Sequence, residues 1–218
     1  MSTNTVVAFE PRKTPIQARS TVTVQAISEA TIQVLISHGA ERLTTTRVAE
    51  RAGVSVGTLY QYYPNKQSLL FAVFEDHMNK VSQAVETACA DACYKPMSEM
   101  IRHIVEAFVD VKMQRADISV ALYKVAPEVG GPALVNQTGQ RLRKAIEAML
   151  LTAPDLKLSF DTFAIDMLLS AMSGAMRSAL EAGASPAMFR KLREHLVLLC
   201  QSYIAAAIVK GAQRLESP

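Results

Sequence analysis

Residues 44–66 read TTTRVAERAGVSVGTLYQYYPNK. This stretch has the grammar of two short helices joined by a tight turn. Val48, Ala49 and Ala52 put apolar groups on one face of the first helix. Gly53 ends that helix, because only glycine enters a left-handed turn without strain. Val54 plugs the turn, and Ser55 caps the second helix by accepting a hydrogen bond from a free backbone N–H. The second helix, from Ser55 to Tyr62, is expected to bury Leu59. It leaves Ser55, Val56, Gly57, Thr58, Tyr60 and Gln61 outside. A short helix that shows small residues, hydroxyls and one amide, with no charge in the way, suits the major groove of DNA.

Working outward, the composition is that of a helical chain. Its 218 residues are enough for one large domain or two smaller ones, and 50% are apolar. Aromatics make up 6% and Trp is absent, a balance that favours helices over sheets. No apolar run approaches the ~20 residues of a membrane span. The first residues, MSTNTVVAFEPRKTP, lack the basic start and apolar core of a secretory signal. Three cysteines, an odd number, fit a reducing cytoplasm better than a disulfide framework, so a cytoplasmic location is expected. Net charge is +3, and it is unevenly placed. Residues 1–66 hold seven Lys/Arg against four acids, and the remainder holds sixteen of each. The excess sits beside the two short helices, with the sign that a phosphate backbone demands.

The periodicity predicts an all-α chain of about nine helices. Residues 1–18, with Pro11 and Pro15, read as a flexible basic arm. A first helix spans 19–38 and stops at Gly39. After the two short helices, Pro64-Asn65 turns the chain into a fourth helix, from Lys66 to Ala92. Pro96 opens a helix running to Arg115, and a short one covers Asp117–Val125. APEVGGP, with two adjacent glycines between two prolines, is expected to be a loop. A helix over 132–151 follows, then two long ones over 158–182 and 186–210. The organisation expected is an arm over 1–18, a domain over 19–66 that carries the two short helices, and a helical domain over 67–218.

The chain resembles the tetracycline-repressor family of bacterial transcription regulators. The family signature runs roughly T-x-x-x-I-A-x-x-A-G-V-S-x-G-T-L-Y-x-Y-F-x-x-K-x-x-L. Here it appears as Thr44, Val48-Ala49, Ala52-Gly53-Val54-Ser55, Gly57-Thr58-Leu59-Tyr60, Tyr62-Tyr63, Lys66 and Leu69. Ile27, Ala30, Val34, Leu35 and Gly39 resemble the family's first helix and its terminator. The likeness covers about residues 20–80, without a gap through the motif. Leu43 stands where threonine is common, Ala40 where an aromatic is common and Tyr63 where phenylalanine is common. These departures touch packing and leave the outer face alone.

The resemblance and the residue chemistry together give roles. Thr44 caps the first reading helix, and Thr45 and Thr46 at its start meet phosphate, where free N–H groups attract anions. Ser55 and Val56 contact bases, and Thr58 offers a methyl and a hydroxyl to base edges or phosphate. Gly57 lets the backbone approach closely, and Gln61 pairs with adenine. Tyr60, Tyr62 and Lys66 resemble the family's phosphate anchors. Arg12, Lys13 and Arg19 either follow the DNA or form a solvated tail. In the last two helices, Ala171, Gly174, Ala175 and Ser178 with Leu192, Leu196, Leu199 and Tyr203 suit a four-helix homodimer interface. Met100, His103, Phe108, Tyr123, Met149, Phe163 and Met167 are candidate lining for a lipophilic or aromatic effector, since methionine adapts to irregular apolar ligands. Plain core is the alternative for each of them. Cys89 and Cys93 lie four apart with no third ligand nearby in sequence, so no metal site and no cofactor are expected.

The resemblance therefore implies a homodimeric repressor on an inverted-repeat operator in double-stranded DNA, released by a small molecule. The alternatives are an effector-independent regulator or an activator of the same fold. A helical enzyme with a vestigial head is a third reading, but no nucleophile–base pair, metal spacing or glycine-rich phosphate loop supports catalysis.

Overall fold

The computed structural model describes residues 18–156 and 161–215, with side chains over 20–156 and 161–208. Among the described residues the chain is all-α, with nine α-helices, one 3-10 turn and no strand. The helices are α1 (Ala18–Arg42), α2 (Thr45–Ala52), α3 (Val56–Tyr62), α4 (Lys66–Ala92) and α5 (Met97–Gln114). They continue as α6 (Ala116–Val125), α7 (Gly131–Leu150), α8 (Phe163–Glu181) and α9 (Pro186–Leu215). Gly39 interrupts α1 with φ 77° and ψ 168°, where the sequence places its terminator.

Two segments differ from expectation. APEVGGP is not an open loop. Ala126–Val129 wind into a 3-10 turn that Pro127 helps to start, and the Gly130 N–H closes it on the Ala126 carbonyl. α7 has already begun at Gly131, where a Cβ would lie 2.4 Å from the Ala126 oxygen, so only glycine fits. α8 begins at Phe163 rather than at 158. The Asp161 carboxylate accepts the Phe163 N–H at 2.9 Å, and its carbonyl accepts the Ala164 N–H at 2.8 Å. Residues 157–160 lie outside the described residues.

The chain forms two compact units. The first runs to His77 and takes in Asp117–Leu134, and the second holds Met78–Ala116 and the chain from Val135 onward. In the first unit α1 packs on α2, and α2 on α3. Ile27, Val34, Leu35, Leu43, Val48, Leu59, Leu69, Leu70 and Val73 are buried there. Each large apolar side chain so buried contributes ~1.5–3 kcal/mol. α6 belongs to the same unit: the Ser119 hydroxyl lies 3.2 Å from the His77 Nε2, and both residues are buried.

In the second unit α5 and α8 both pack on α9. Met100, Ile101, Ile104 and Val105 of α5 are fully buried, as are Ile146, Ile165, Met172 and Met176. Ion pairs brace its surface. Arg141 on α7 holds both carboxylate oxygens of Glu86 on α4, each at 2.5 Å, and Arg193 on α9 pairs with Asp110 on α5. The Thr152 hydroxyl accepts the Tyr94 N–H at 2.9 Å, which ties the end of α7 to the corner between α4 and α5. Tyr94 takes φ 64° there.

Candidate nucleic-acid interface

The reading unit is assembled from local rules. Thr44 lies in extended backbone before α2, and its hydroxyl accepts the Arg47 N–H at 3.3 Å. Gly53 takes φ 69° and closes α2 through its N–H on the Ala49 and Glu50 carbonyls. Ser55 caps α3, its Oγ accepting the Thr58 N–H at 3.0 Å. Leu59 is the buried residue of α3, wholly shielded, and it locks the helix onto α2. These are the roles the sequence assigns to Thr44, Gly53, Ser55 and Leu59.

What remains outside is a small uncharged surface. Ser55, Gly57, Tyr60 and Gln61 are exposed, and Val56, Thr58 and Tyr62 are half-buried. Three polar groups already have bonds within the unit. The Ser55 and Thr58 hydroxyls lie 2.8 Å apart, and the Tyr60 hydroxyl sits 3.2 Å from Thr45 Oγ1 across the two helices. Ser55 is thus committed first to the cap, and less to a base, than the sequence suggests. Thr45 is half-buried while Thr46 is exposed, both in the first turn of α2. Lys66 is half-buried and donates to the Ala40 carbonyl at 2.7 Å. An ammonium has three donors, so this bond fixes the side chain and leaves two for an anion.

Sequence reasoning misses the braces around this surface. Arg51 Nε donates to Gln33 Oε1 at 2.6 Å, joining α2 to α1, and Arg47 donates to the Arg42 carbonyl at 2.9 Å. The signal is a cluster of arginines on a short helix, but the partners come from tertiary structure. Arg12, Lys13 and the side chain of Arg19 lie outside the described residues.

The seven effector candidates are spread over both units. Met100, Phe108 and Met149 are buried in the second unit. Tyr123 belongs to the first. His103 is half-buried with both ring nitrogens engaged, Nδ1 at 2.8 Å from the Glu99 carbonyl and Nε2 at 3.1 Å from the Lys95 ammonium. Phe163 and Met167 are 60% and 44% exposed, so the plain-core alternative does not hold for them. α8 turns Ala164, Ile165, Leu168 and Met172 inward, and that leaves positions 163 and 167 on its outer side. Missed by the sequence reading is Lys112, an ammonium only 5% exposed on the apolar face of α5, which burial pushes down to about 8.

The eight dimer candidates divide as well. Gly174, Ser178, Leu199 and Tyr203 are exposed, and Ala171, Ala175 and Leu192 are half-buried. Leu196 is 3% exposed and belongs to its own chain's core, because it lies on the inward face of α9 with Phe189, Cys200 and Ile204. Leu198, which the sequence reading passed over, is 61% exposed beside Leu199. Among the described residues no group of three or more His, Cys, Asp or Glu is placed to hold a metal. Burial pushes the Cys89 thiol up to about 12, so it is inert at neutral pH.

Comparison with known proteins decides the family. Residues 27–73 match the model for bacterial regulatory proteins of the tetR family, and residues 96–204 match a tetracyclin repressor-like C-terminal domain. The chain belongs to the tetracycline-repressor family. It is 24% identical over 215 residues to the transcriptional regulator AcrR of Shigella flexneri, covering 92% of this chain and 97% of that one. It is 36% identical over 62 residues to the transcriptional repressor KstR of Mycolicibacterium smegmatis, and 30% over 60 to the fatty acid metabolism regulator protein of Bacillus subtilis. Those two matches take in 28% of this chain each, and 30% and 31% of the relatives' own lengths. A tetR-family regulator from Mesorhizobium loti superposes with a TM-score of 0.70 at 18% identity, covering 87% of this chain and 98% of that one. Among the described residues no helix is long and apolar enough to cross a membrane. As a tetracycline-repressor family member the protein is a DNA-binding transcription regulator, and the residues that match the family's N-terminal model take in α2 and α3.

Proposed function

We propose that the protein acts as a homodimeric repressor that binds an inverted-repeat operator in double-stranded DNA and leaves it when a small lipophilic molecule binds. The observation that carries the reading is the outer face of α3, uncharged and capped at both ends, held by Leu59 in a stretch, residues 42–66, that also carries Arg42, Arg47, Arg51 and Lys66. Such a helix enters a major groove, while the cations and the first turn of α2 meet the phosphates on either side. Residues 19–66 do the reading in this assignment, and 67–218 take the effector and the second copy. The site of action is the cytoplasm, where the operator is.

Support for the dimer comes from the α8–α9 surface. Phe163, Met167, Leu198, Leu199 and Tyr203 are exposed there, a set of large apolar groups that a second copy would cover. Support for a lipophilic effector comes from Met100, Met149, Met172 and Met176, all buried in the second unit, where flexible side chains can repack around a guest. Linkage makes the effector claim strict. A molecule that weakens DNA binding by some factor must itself bind the DNA complex more weakly by that factor.

The test is titration of candidate lipophiles against the free protein and against its operator complex. Weaker binding to the complex supports the repressor. Equal affinity for both forms would leave an effector-independent regulator. Lys66→Ala should weaken binding on all sequences and flatten the salt dependence by about one unit. A changed base preference in that variant would remove Lys66 from the phosphate contacts.

A further inference from the structure

Gly57 in α3, Gly139 in α7 and Gly174 in α8 sit inside helices without a left-handed backbone. A glycine in a helix interior is less stable than alanine, a cost that a partner needing the missing Cβ would offset. Inside this chain nothing needs it at Gly57. A Cβ there would meet the Ser55 Oγ at 3.7 Å, an ordinary van der Waals contact. Gly131 shows the opposite case, where a Cβ would fall 2.4 Å from a carbonyl oxygen of its own chain. Gly57 is exposed, on the second turn-forming position of the seven-residue reading helix. Its neighbour one turn on is Gln61, also exposed and on the same side.

We infer that Gly57 sets the depth of α3 in the groove, and that this depth is what lets the Gln61 amide reach a base edge. The inference rests on the reading of α3 as the DNA reader. The other polar groups of the face are hydroxyls, which rotate and serve as donor or acceptor alike. Those of Ser55, Thr58 and Tyr60 are already bonded within the unit. Gln61 is the one side-chain amide of α3, offering a donor and an acceptor in fixed geometry, the pattern that adenine N7 and N6 complement. An amide reads bases only within direct hydrogen-bond reach. A methyl group at position 57 stands between helix and base pairs, holds the helix off, and costs Gln61 its contact. Gly57 is therefore a positioning residue and Gln61 the reader it serves.

The experiment compares wild type, Gly57→Ala, Gln61→Ala, the double variant and the control Gly139→Ala, all as full-length protein. Each is measured for thermal stability and for affinity toward the operator selected by wild type, every single-base variant of it, and unrelated DNA. Gly57→Ala should melt at the wild-type temperature or ~1–4 °C above it, since alanine is the better helix former. It should nonetheless bind the operator at least tenfold more weakly, and lose discrimination at the same base pair as Gln61→Ala. The double variant should lose little more than either single one. Gly139→Ala should gain stability and keep its affinity. Unchanged operator affinity in Gly57→Ala overturns the inference, and so does a lowered melting temperature, which would mean that the fold itself needs this glycine. Full additivity in the double variant overturns the link to Gln61. If wild type selects no sequence at all, the DNA-reading assignment falls with it, an outcome distinct from a Gly57→Ala that binds a wild-type operator normally.

Discussion

The reading unit and the α8–α9 surface solve opposite problems. α2 and α3 are eight and seven residues long, too short to be stable alone, so they depend on caps, on the left-handed Gly53 that ends α2, and on one or two buried apolar residues each. Their outer face is polar and complete in the single chain. α8 and α9 are 19 and 30 residues long, well packed on one another, yet they leave large apolar groups in the open. On the proposed reading, the contrast gives each surface a different partner. A capped, uncharged, hydroxyl-rich face suits a hydrated groove, and an apolar one suits another copy of itself.

The sharpest way to break the contrast is to unseat one region and leave the other. Leu59→Ala removes the buried residue of α3 and should cost ~2–5 kcal/mol in the first unit. Operator binding should vanish while the sedimentation coefficient stays that of the wild type. Loss of the assembly in this variant would mean that the two regions fold as one. Leu198→Glu with Leu199→Glu does the converse. Placing uncompensated charge in a buried interface should weaken dimerisation by ~3–5 kcal/mol, with helical content unchanged by circular dichroism. A dimer that survives would move the interface elsewhere.

Lys112 probes the interior of the second unit by pH. Its folded pKa of about 8 lies below the ordinary lysine value of 10.5. Below pH 8 the ammonium is charged in both states and its burial cost is fully present. Between pH 8 and 10.5 the unfolded chain holds the proton that the folded chain has released, so stability from this group rises with pH. Relative to Lys112→Met, wild type should gain on the order of 1–3 kcal/mol across that window. Burial of Cys89 and Cys200 acts in the other direction at higher pH, with thiols pushed up to about 12 and about 11, so the difference between the two proteins is the quantity to measure. A flat difference would mean that Lys112 is solvated in solution. The smallest effect is expected at the cap. Ser55→Ala should cost about 1 kcal/mol of stability and keep base preference, because its hydroxyl serves Thr58.

The same contrast explains what the sequence discloses. Thr44, Gly53, Ser55 and Gly39 act within four residues of themselves, so their spacing is enough to place caps and breaks. Leu59 follows from them, since only one face of α3 can turn inward. The body offers no such local grammar. Leu196 and Leu199 are three apart and both fit a helical stripe, yet one is buried in its own chain and the other is open. Which side faces inward depends on where α5 and α8 lie. Phe163 and Met167 look like core because they are large and apolar, but α8 turns Ala164, Ile165, Leu168 and Met172 inward and leaves them outside. Lys112 is invisible in composition, since a lysine on a helix is ordinarily a solvated one.

The measurement that tests the account most directly is selection of DNA from a random-sequence pool by the full-length wild-type protein. A two-fold dimer reading through α3 predicts an inverted repeat whose half-site centres lie ~34–36 Å apart or a multiple of it, bound with steep salt dependence. A direct repeat, a single asymmetric site, or no enrichment over the starting pool would contradict it.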